Sequence, residues 1–233
     1  MTGGPLLVLC ALGPEAWALR GGDWAGGVGG PPVLVRTGIG RRRAGRSVRT
    51  VLARGGYGAL VVAGFGASVA PGVRPGDVVV ADAVRDTEGR QFGLDTARSM
   101  AKALQAHGLT THIGLHHTAD HVVRGAERQA LHLRGALAVD MEAAGVLAAR
   151  ADTRPDLPAA VLRVVVDTPE HELLRPGTLP AGFRAWRTLR AAVPALTEWH
   201  RLTAAAVADQ AGHADLAQSE PHPQPSTLPQ EAS

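Results

Sequence analysis

Ala138-Val139-Asp140-Met141-Glu142-Ala143-Ala144-Gly145-Val146 begins like the end of a buried strand, turns acidic at Asp140 and Glu142, and runs on as a small-residue helix through Ala149. Carboxylates at a strand-to-helix switch lie at the carboxyl end of a sheet, where open α/β folds place their ligands. Some twenty residues on, Val161-Leu162-Arg163-Val164-Val165-Val166-Asp167-Thr168 repeats the theme as a β-branched run that ends in Asp and carries one Arg. The two stretches put three acids and one base on neighbouring strand ends. Their alternation of apolar runs with helical spacing points to an α/β fold.

The bulk properties bound this reading. A chain of 233 residues, 45% hydrophobic and with mean hydropathy near zero, suits one globular domain with a full core. No apolar run reaches the roughly 18 residues of a membrane span, and residues 5–12 have no basic segment before them to make a secretory signal. A cytoplasmic location follows as the expectation. Cys10, the single cysteine, excludes an intrachain disulfide and reads as a small buried hydrophobe. The charge is +3 and the pI about 9.9, carried by arginine apart from Lys102. These arginines are scattered, with a cluster only at Arg41-Arg42-Arg43, and no aromatic-interleaved basic motif accompanies them, so no nucleic-acid partner is expected.

Residues 5–12 read as the first buried strand, followed by Gly13-Pro14-Glu15 at a helix start. Glu15 there suits a helix-dipole partner or a group that faces a ligand. Residues 21–32 are a glycine-rich loop, 33–35 a second strand, and Thr37-Gly38-Ile39-Gly40 a turn before a helix from Arg41. A helix N-terminus behind glycines can hold an anion, whereas the three arginines also fit a solvated helix face. Residues 59–63 read as a third strand, and Gly64-Phe65-Gly66-Ala67-Ser68 as a Gly-rich turn. Residues 86–94 read as loop, 95–107 as helix, 111–118 as strand, 125–134 as a short helix, and 168–173 as a loop on the pocket rim. Residues 181–208 read as a long amphipathic helix with Trp186 and Trp199, interrupted near Pro194. One domain over 1–210 and a disordered tail over 211–233 complete the organisation.

Three other chemistries fit the sequence poorly. A serine-hydrolase elbow at Gly66-Ala67-Ser68-Val69-Ala70, with Asp167 and His200, needs a helix directly after the serine; Pro71, Gly72, Pro75 and Gly76 forbid one. His112, His116, His117 and His121 lack the spacing of a metal site, so no metal is expected. Gly64-x-Gly66 lacks the third glycine of a dinucleotide fingerprint, so no cofactor is expected.

Val139-Asp140-Met141-Glu142 followed by a strand Arg163-x-x-x-Asp167 resembles the nucleoside phosphorylase/nucleosidase superfamily, over roughly residues 5–200. Thr37-Gly38-Ile39-Gly40 and Pro71-Gly72-Val73-Arg74-Pro75-Gly76-Asp77-Val78-Val79-Val80-Ala81 carry the same likeness. The resemblance implies a three-layer α/β fold with a mixed central sheet flanked by helices, a small-molecule nucleoside substrate and a homo-oligomer. It implies that Asp167 protonates the purine at N7, that Glu142 grips the ribose hydroxyls while Met141 packs on the sugar, and that Glu15 and Arg163 position the attacking water. Arg163 equally suits an ion pair with a strand-end acid, Asp167 a helix cap, and Asp140 a structural role. Val122, Val123, Phe65 and Gly66 fall where the family holds its substrate. Phe65 stands where the phosphorylases carry a phosphate-binding serine, which favours water as nucleophile. Val122 and Val123 stand where the family stacks an aromatic ring on the base.

Leu9-Cys10-Ala11-Leu12-Gly13-Pro14-Glu15-Ala16 and Val165-Val166-Asp167-Thr168-Pro169-Glu170-His171-Glu172-Leu173 are most similar to the hopanoid-associated branch, which is held to release adenine from adenosylhopane. That likeness implies a lipid-linked adenosine as substrate. The amphipathic helix over 181–208 suits packing on the sheet, and its basic face also suits peripheral contact with a membrane. A methylthioadenosine/S-adenosylhomocysteine nucleosidase and a purine nucleoside phosphorylase using Arg41–Arg43 stay open as alternatives, as does a non-catalytic nucleoside-binding protein.

Overall fold

Burial of both faces explains why the central strands read as continuous apolar runs. In β1 (Leu6–Cys10), Leu6, Val8 and Cys10 enter one core cluster and Leu7 and Leu9 the other. In β8 (Ala159–Asp167), Ala160, Leu162 and Val164 face the first cluster and Ala159 and Val161 the second. This computed structural model describes the backbone of residues 3–169 and 178–218. The first cluster packs α1 (Gly13–Arg20), α3 (Ala97–Ala106), α6 (Thr178–Ala191) and α7 (Val193–Gln218) on the sheet. The second packs α2 (Arg41–Leu52) and α5 (Ala143–Thr153) on the other side. The result is the expected three-layer α/β architecture.

The sheet is mixed and runs β2 (Val33–Arg36), β1, β3 (Ala59–Ser68), β7 (Ala136–Asp140), β6 (Thr111–Thr118), β4 (Val78–Arg85), β5 (Gln91–Gly93). β8 pairs parallel with β3 and antiparallel with β4, so β3, β7, β6, β4 and β8 close on one another. The closure sits at the far end of β3, where Ala67 stands opposite Val139 on one side and Asp167 on the other. The two acidic stretches therefore flank the same strand end.

Several local readings change. The segment 64–68 is not a turn: β3 continues through it to Ser68, with a bulge between Gly66 and Ala67. Its glycines make room for side chains instead. A Cβ at Gly64 would lie 2.6 Å from Glu15 Oε1, and one at Gly66 would lie 2.8 Å from Arg163 Cβ. Residues 86–94, expected as loop, contain β5, which pairs antiparallel with β4. The expected interruption of the last helix lies between α6 and α7, with Pro194 in the first turn of α7, where its missing N–H costs nothing. α7 runs on to Gln218, past residue 210; residues 219–233 of the expected tail, and 170–173 of the expected rim loop, lie outside the described residues. No helix among the described residues is long and apolar enough to cross a membrane.

Gly145 explains the small-residue helix of the opening stretch. A Cβ there would lie 2.1 Å from the carbonyl oxygen of Arg41, and one at Gly45 would lie 3.0 Å from the carbonyl oxygen of Gly145. α2 and α5 thus cross backbone to backbone, which brings the turn before α2 against the start of α5.

His116 on β6 is fully buried near Asp140, and burial pushes its imidazole down to about 4, although the Asp140 carboxylate pulls the other way. Its folded value lies below that of an unfolded histidine, roughly 6.5. The stability contributed by the neutral ring is therefore complete above about pH 6.5 and is lost as pH falls toward 4. Urea midpoints should decline across that window, and His116→Leu should flatten the decline. An unchanged slope in the variant would assign the acid sensitivity elsewhere.

Candidate functional site

The segments after β1, β2, β6 and β7 and the carboxyl ends of β3 and β8 surround a cavity of about 270 Å³, close to the lower end of small-molecule sites, roughly 300–1,000 Å³. Glu15, Glu142, Met141 and Asp167 line it, as do Phe65, Gly66, Val122 and Val123. Sequence reasoning placed all eight at a ligand, and the fold brings them together from five segments. Arg163 does not line the cavity; it stands behind it.

Glu15 enters from the first turn of α1 and is buried. Its Oε2 accepts hydrogen bonds from the backbone N–H of Ala11 at 2.8 Å and Leu12 at 2.7 Å, and its Oε1 accepts one from Phe65 N–H at 2.7 Å. Three backbone donors fix the carboxylate rigidly. A carboxylate oxygen has two lone pairs, so Oε1 keeps one acceptor position, and Glu15 lines the cavity. Gly64 is what permits this approach.

Asp140 is the hub beneath the site. Its Oδ1 accepts from Thr118 Oγ1 at 2.7 Å and from the N–H groups of Glu142 and Ala143 at 3.2 Å each, tying down the start of α5. Its Oδ2 accepts from Arg163 Nε at 3.0 Å and Nη2 at 2.9 Å. The ion-pair alternative for Arg163 describes its position: the guanidinium is 1% exposed and engaged by Asp140, with Glu142 Oε2 a further 3.4 Å contact. A water-positioning role would have to pass through these carboxylates. Burial pushes the Asp140 carboxyl up, but Arg163, His116 and Thr118 outweigh it, and the group ends below the usual range.

Glu142 precedes α5 and reaches back to α2. Its Oε1 accepts from Gly40 N–H at 3.1 Å. Gly40 adopts φ +100°, a conformation that favours glycine and turns its N–H toward the site. Burial raises the Glu142 carboxyl above the ordinary range and Asp140 adds to the shift, with Arg163 and Gly40 opposing. A cramped, buried carboxylate of this kind gains by meeting a cationic ligand or hydroxyl donors.

Asp167 closes the opposite wall. Both of its oxygens accept from one guanidinium, Arg128 of α4 (Ala126–Leu133): Nη1 donates to Oδ1 at 3.2 Å and Nη2 to Oδ2. Arg128 Nε donates to Val123 O at 3.2 Å, and Arg128 itself lines the cavity. Sequence reasoning missed Arg128. The available signal was an arginine three residues before Leu131 on an amphipathic helix, the two being the buried members of that helix.

Of the arginine, serine and histidine side chains that suggested other roles, only His121 lines the cavity. Arg41 is held by Asp86 at 3.2 Å, Glu88 at 2.9 Å and Asp120 at 3.6 Å, and none of Arg41, Arg42 and Arg43 lines the cavity. Ser68 donates to Ala70 O and Leu137 O at one end of β3, whereas His200 packs against Gly58 at the other. Roughly 30 Å of strand separates them, at about 3.3 Å per residue. His112 meets Asp77 and His121 meets Glu127. Among the described residues, no group of three or more His, Cys, Asp or Glu is placed to hold a metal ion.

Comparison with known proteins places the site in context. A model of the phosphorylase superfamily matches residues 22–178. No curated protein sequence matches the chain. Among solved structures, the futalosine hydrolase of Helicobacter pylori superposes with a TM-score of 0.69 at 15% identity, covering 84% of this chain and 97% of that one. The 5′-methylthioadenosine/S-adenosylhomocysteine nucleosidase of Campylobacter jejuni gives 0.70 at 15%, over 83% and 98%. The corresponding nucleosidase of S. pneumoniae, solved with a transition-state inhibitor, gives 0.62 at 25%, over 82% and 99%.

Proposed function

The chain belongs to the phosphorylase superfamily, and within it we propose a nucleosidase that hydrolyses the N-glycosidic bond of an adenosine-type nucleoside. The observation that carries this reading is the arrangement of the cavity walls. Two backbone-anchored carboxylates, Glu15 and Glu142, face the paired Asp167 and Arg128 across it. Such a bond breaks through an oxocarbenium-like sugar while negative charge moves into the base. Glu142 suits the ribose hydroxyls and the cationic sugar, with Met141 against the sugar face. Glu15 Oε1, held by Phe65 N–H, suits an attacking water. Asp167 and Arg128 suit the departing base. Arg163 acts in this reading through Asp140 and Glu142, as a positioning residue.

Water rather than phosphate is the proposed nucleophile. Phe65 offers no side-chain donor, its N–H is taken by Glu15, and Arg41 is occupied by three carboxylates. The proposed substrate carries a large apolar 5′ group, as adenosylhopane does, giving adenine and ribosylhopane. Its support is the small cavity together with apolar residues at its edge: Leu12, Ile39 and Val122 line it, and the last two are more than half exposed. A long apolar substituent would leave across them. A cytoplasmic homo-oligomer belongs to the same proposal, with peripheral lipid contact falling to the exposed rings of Trp17 and Phe183. Both pack on Trp186, under Arg190. The neighbouring folds favour 5′-methylthioadenosine as the second substrate to try.

The test is adenine release from adenosylhopane and from 5′-methylthioadenosine, with and without phosphate. Equal rates in both buffers and a free ribosyl product are expected, with adenosylhopane preferred. Phosphate-dependent release as a ribose 1-phosphate would overturn hydrolysis. Turnover of methylthioadenosine alone would overturn the apolar substrate. No release from either would leave a nucleoside-binding protein.

A further inference from the structure

Asp167 and Arg128 present both acceptors and donors at the cavity wall. Both carboxyl oxygens already accept from the guanidinium, and the pair lies inside the cavity with each residue 3% exposed. Each carboxylate oxygen has two lone pairs, so each keeps one acceptor position beside the guanidinium. Arg128 likewise has donors to spare. Of its five N–H groups, Nε–H goes to Val123 O, and Nη1 and Nη2 each give one to Asp167. Among the described residues, no acceptor takes the remaining two, and the side chain lines the cavity.

We infer that Arg128 is a catalytic residue that donates a hydrogen bond to N7 of the leaving base, with Asp167 holding the guanidinium in place and accepting from the base's exocyclic amine. This rests on the reading of the cavity as a purine-nucleoside site. The edge of adenine that carries N7 presents one acceptor, N7, beside one donor, the N6 amine. The ion pair presents the matching donor beside an acceptor. A 6-oxopurine presents two acceptors there and leaves one of them facing the Asp167 carboxylate. The pair therefore selects adenine over hypoxanthine or guanine.

The reaction balances without a proton from Arg128, since a guanidinium does not give up its protons in proteins. The C1′–N9 bond breaks and its electron pair passes into the purine, where the cation beside N7 stabilises it. The oxygen of water bonds C1′. The proton that this water releases ends on the departing adenine through solvent. Fixed charge aimed at developing charge in a water-poor cavity is the form of stabilisation that contributes most in many enzymes.

The experiment is calorimetric binding of adenine and of 7-deazaadenine, which lacks the N7 acceptor, to wild type and to Arg128→Met. Wild type should favour adenine by roughly 10- to 100-fold, the scale of one hydrogen bond from a charged donor. Arg128→Met should bind both ligands alike, and Arg128→Lys, tested alongside, should recover part of the preference. Circular dichroism establishes that the variants are folded. If Arg128→Met keeps the full preference for adenine, N7 meets another group and the inference fails. If wild type binds both ligands equally, the inference fails while the nucleoside reading stands. If wild type binds neither ligand, the reading of the cavity itself fails.

Discussion

Asp167→Ala should lower adenine release by at least about 100-fold, the scale expected for a group that acts on the leaving base in the transition state. The effect should fall on kcat more than on KM, because charge builds on the base only as the bond breaks. The geometry supports a loss of that size whether the carboxyl acts on the base itself or through Arg128. Removing it leaves a buried guanidinium, 3% exposed, with Val123 O as its remaining acceptor among the described residues. Stranding one member of a buried pair also costs stability, about 3–5 kcal/mol, so turnover must be read below the variant's melting temperature. Met141→Ala is the control on the facing wall; in the proposed reading it removes sugar packing but no charge and should be milder. Wild-type turnover by a folded Asp167→Ala protein would mean that the base departs elsewhere in the cavity.

The strand-end acids were legible in the sequence because each closes an apolar run. Asp140 and Glu142 follow Ala136–Val139, and Asp167 follows the β-branched run from Val161. Their convergence was not legible. It depends on β8 leaving the main path of the sheet to bridge β3 and β4, a long-range pairing that local periodicity does not encode. Glu15 announced itself as a helix-start acid, but its third donor, Phe65 N–H, comes from fifty residues away. Gly64 and Gly66 were misread because glycine in a run usually marks a turn or bulge. Here both clear space for Glu15 and Arg163, and a bulge does follow Gly66. Arg128 stayed hidden among arginines scattered along the chain. Burial of such a group is decided by the carboxylate waiting for it, and that carboxylate lies on another element.

Arg163→Met should destabilise the fold by about 3–5 kcal/mol, as expected when one partner is removed from a buried ion pair. Asp140 is nearly inaccessible and takes two of its hydrogen bonds from this guanidinium. Glu142 loses its cation as well. The pH dependence identifies the cause. In the wild type, burial pushes Asp140 up but Arg163, His116 and Thr118 bring it net below the ordinary carboxyl range. Its contribution to stability is thus present above the unfolded value, roughly 4, and is lost as pH falls through the depressed folded value. In the variant, burial outweighs the partners that remain, the carboxyl rises, and the folded state binds the proton more tightly than the unfolded chain. The stability deficit should therefore be largest near neutral pH and shrink as pH falls into the carboxyl range, read by urea denaturation at several pH values. Adding Asp140→Asn to the variant should recover part of the loss at neutral pH, because no buried charge then remains to be compensated. A deficit that ignores pH would make lost packing the cause, and Arg163 would be a spacer beneath the site. A deficit that follows pH makes it the counter-charge that lets two carboxylates share one strand end, which Glu142 requires if it is to face the cavity at all.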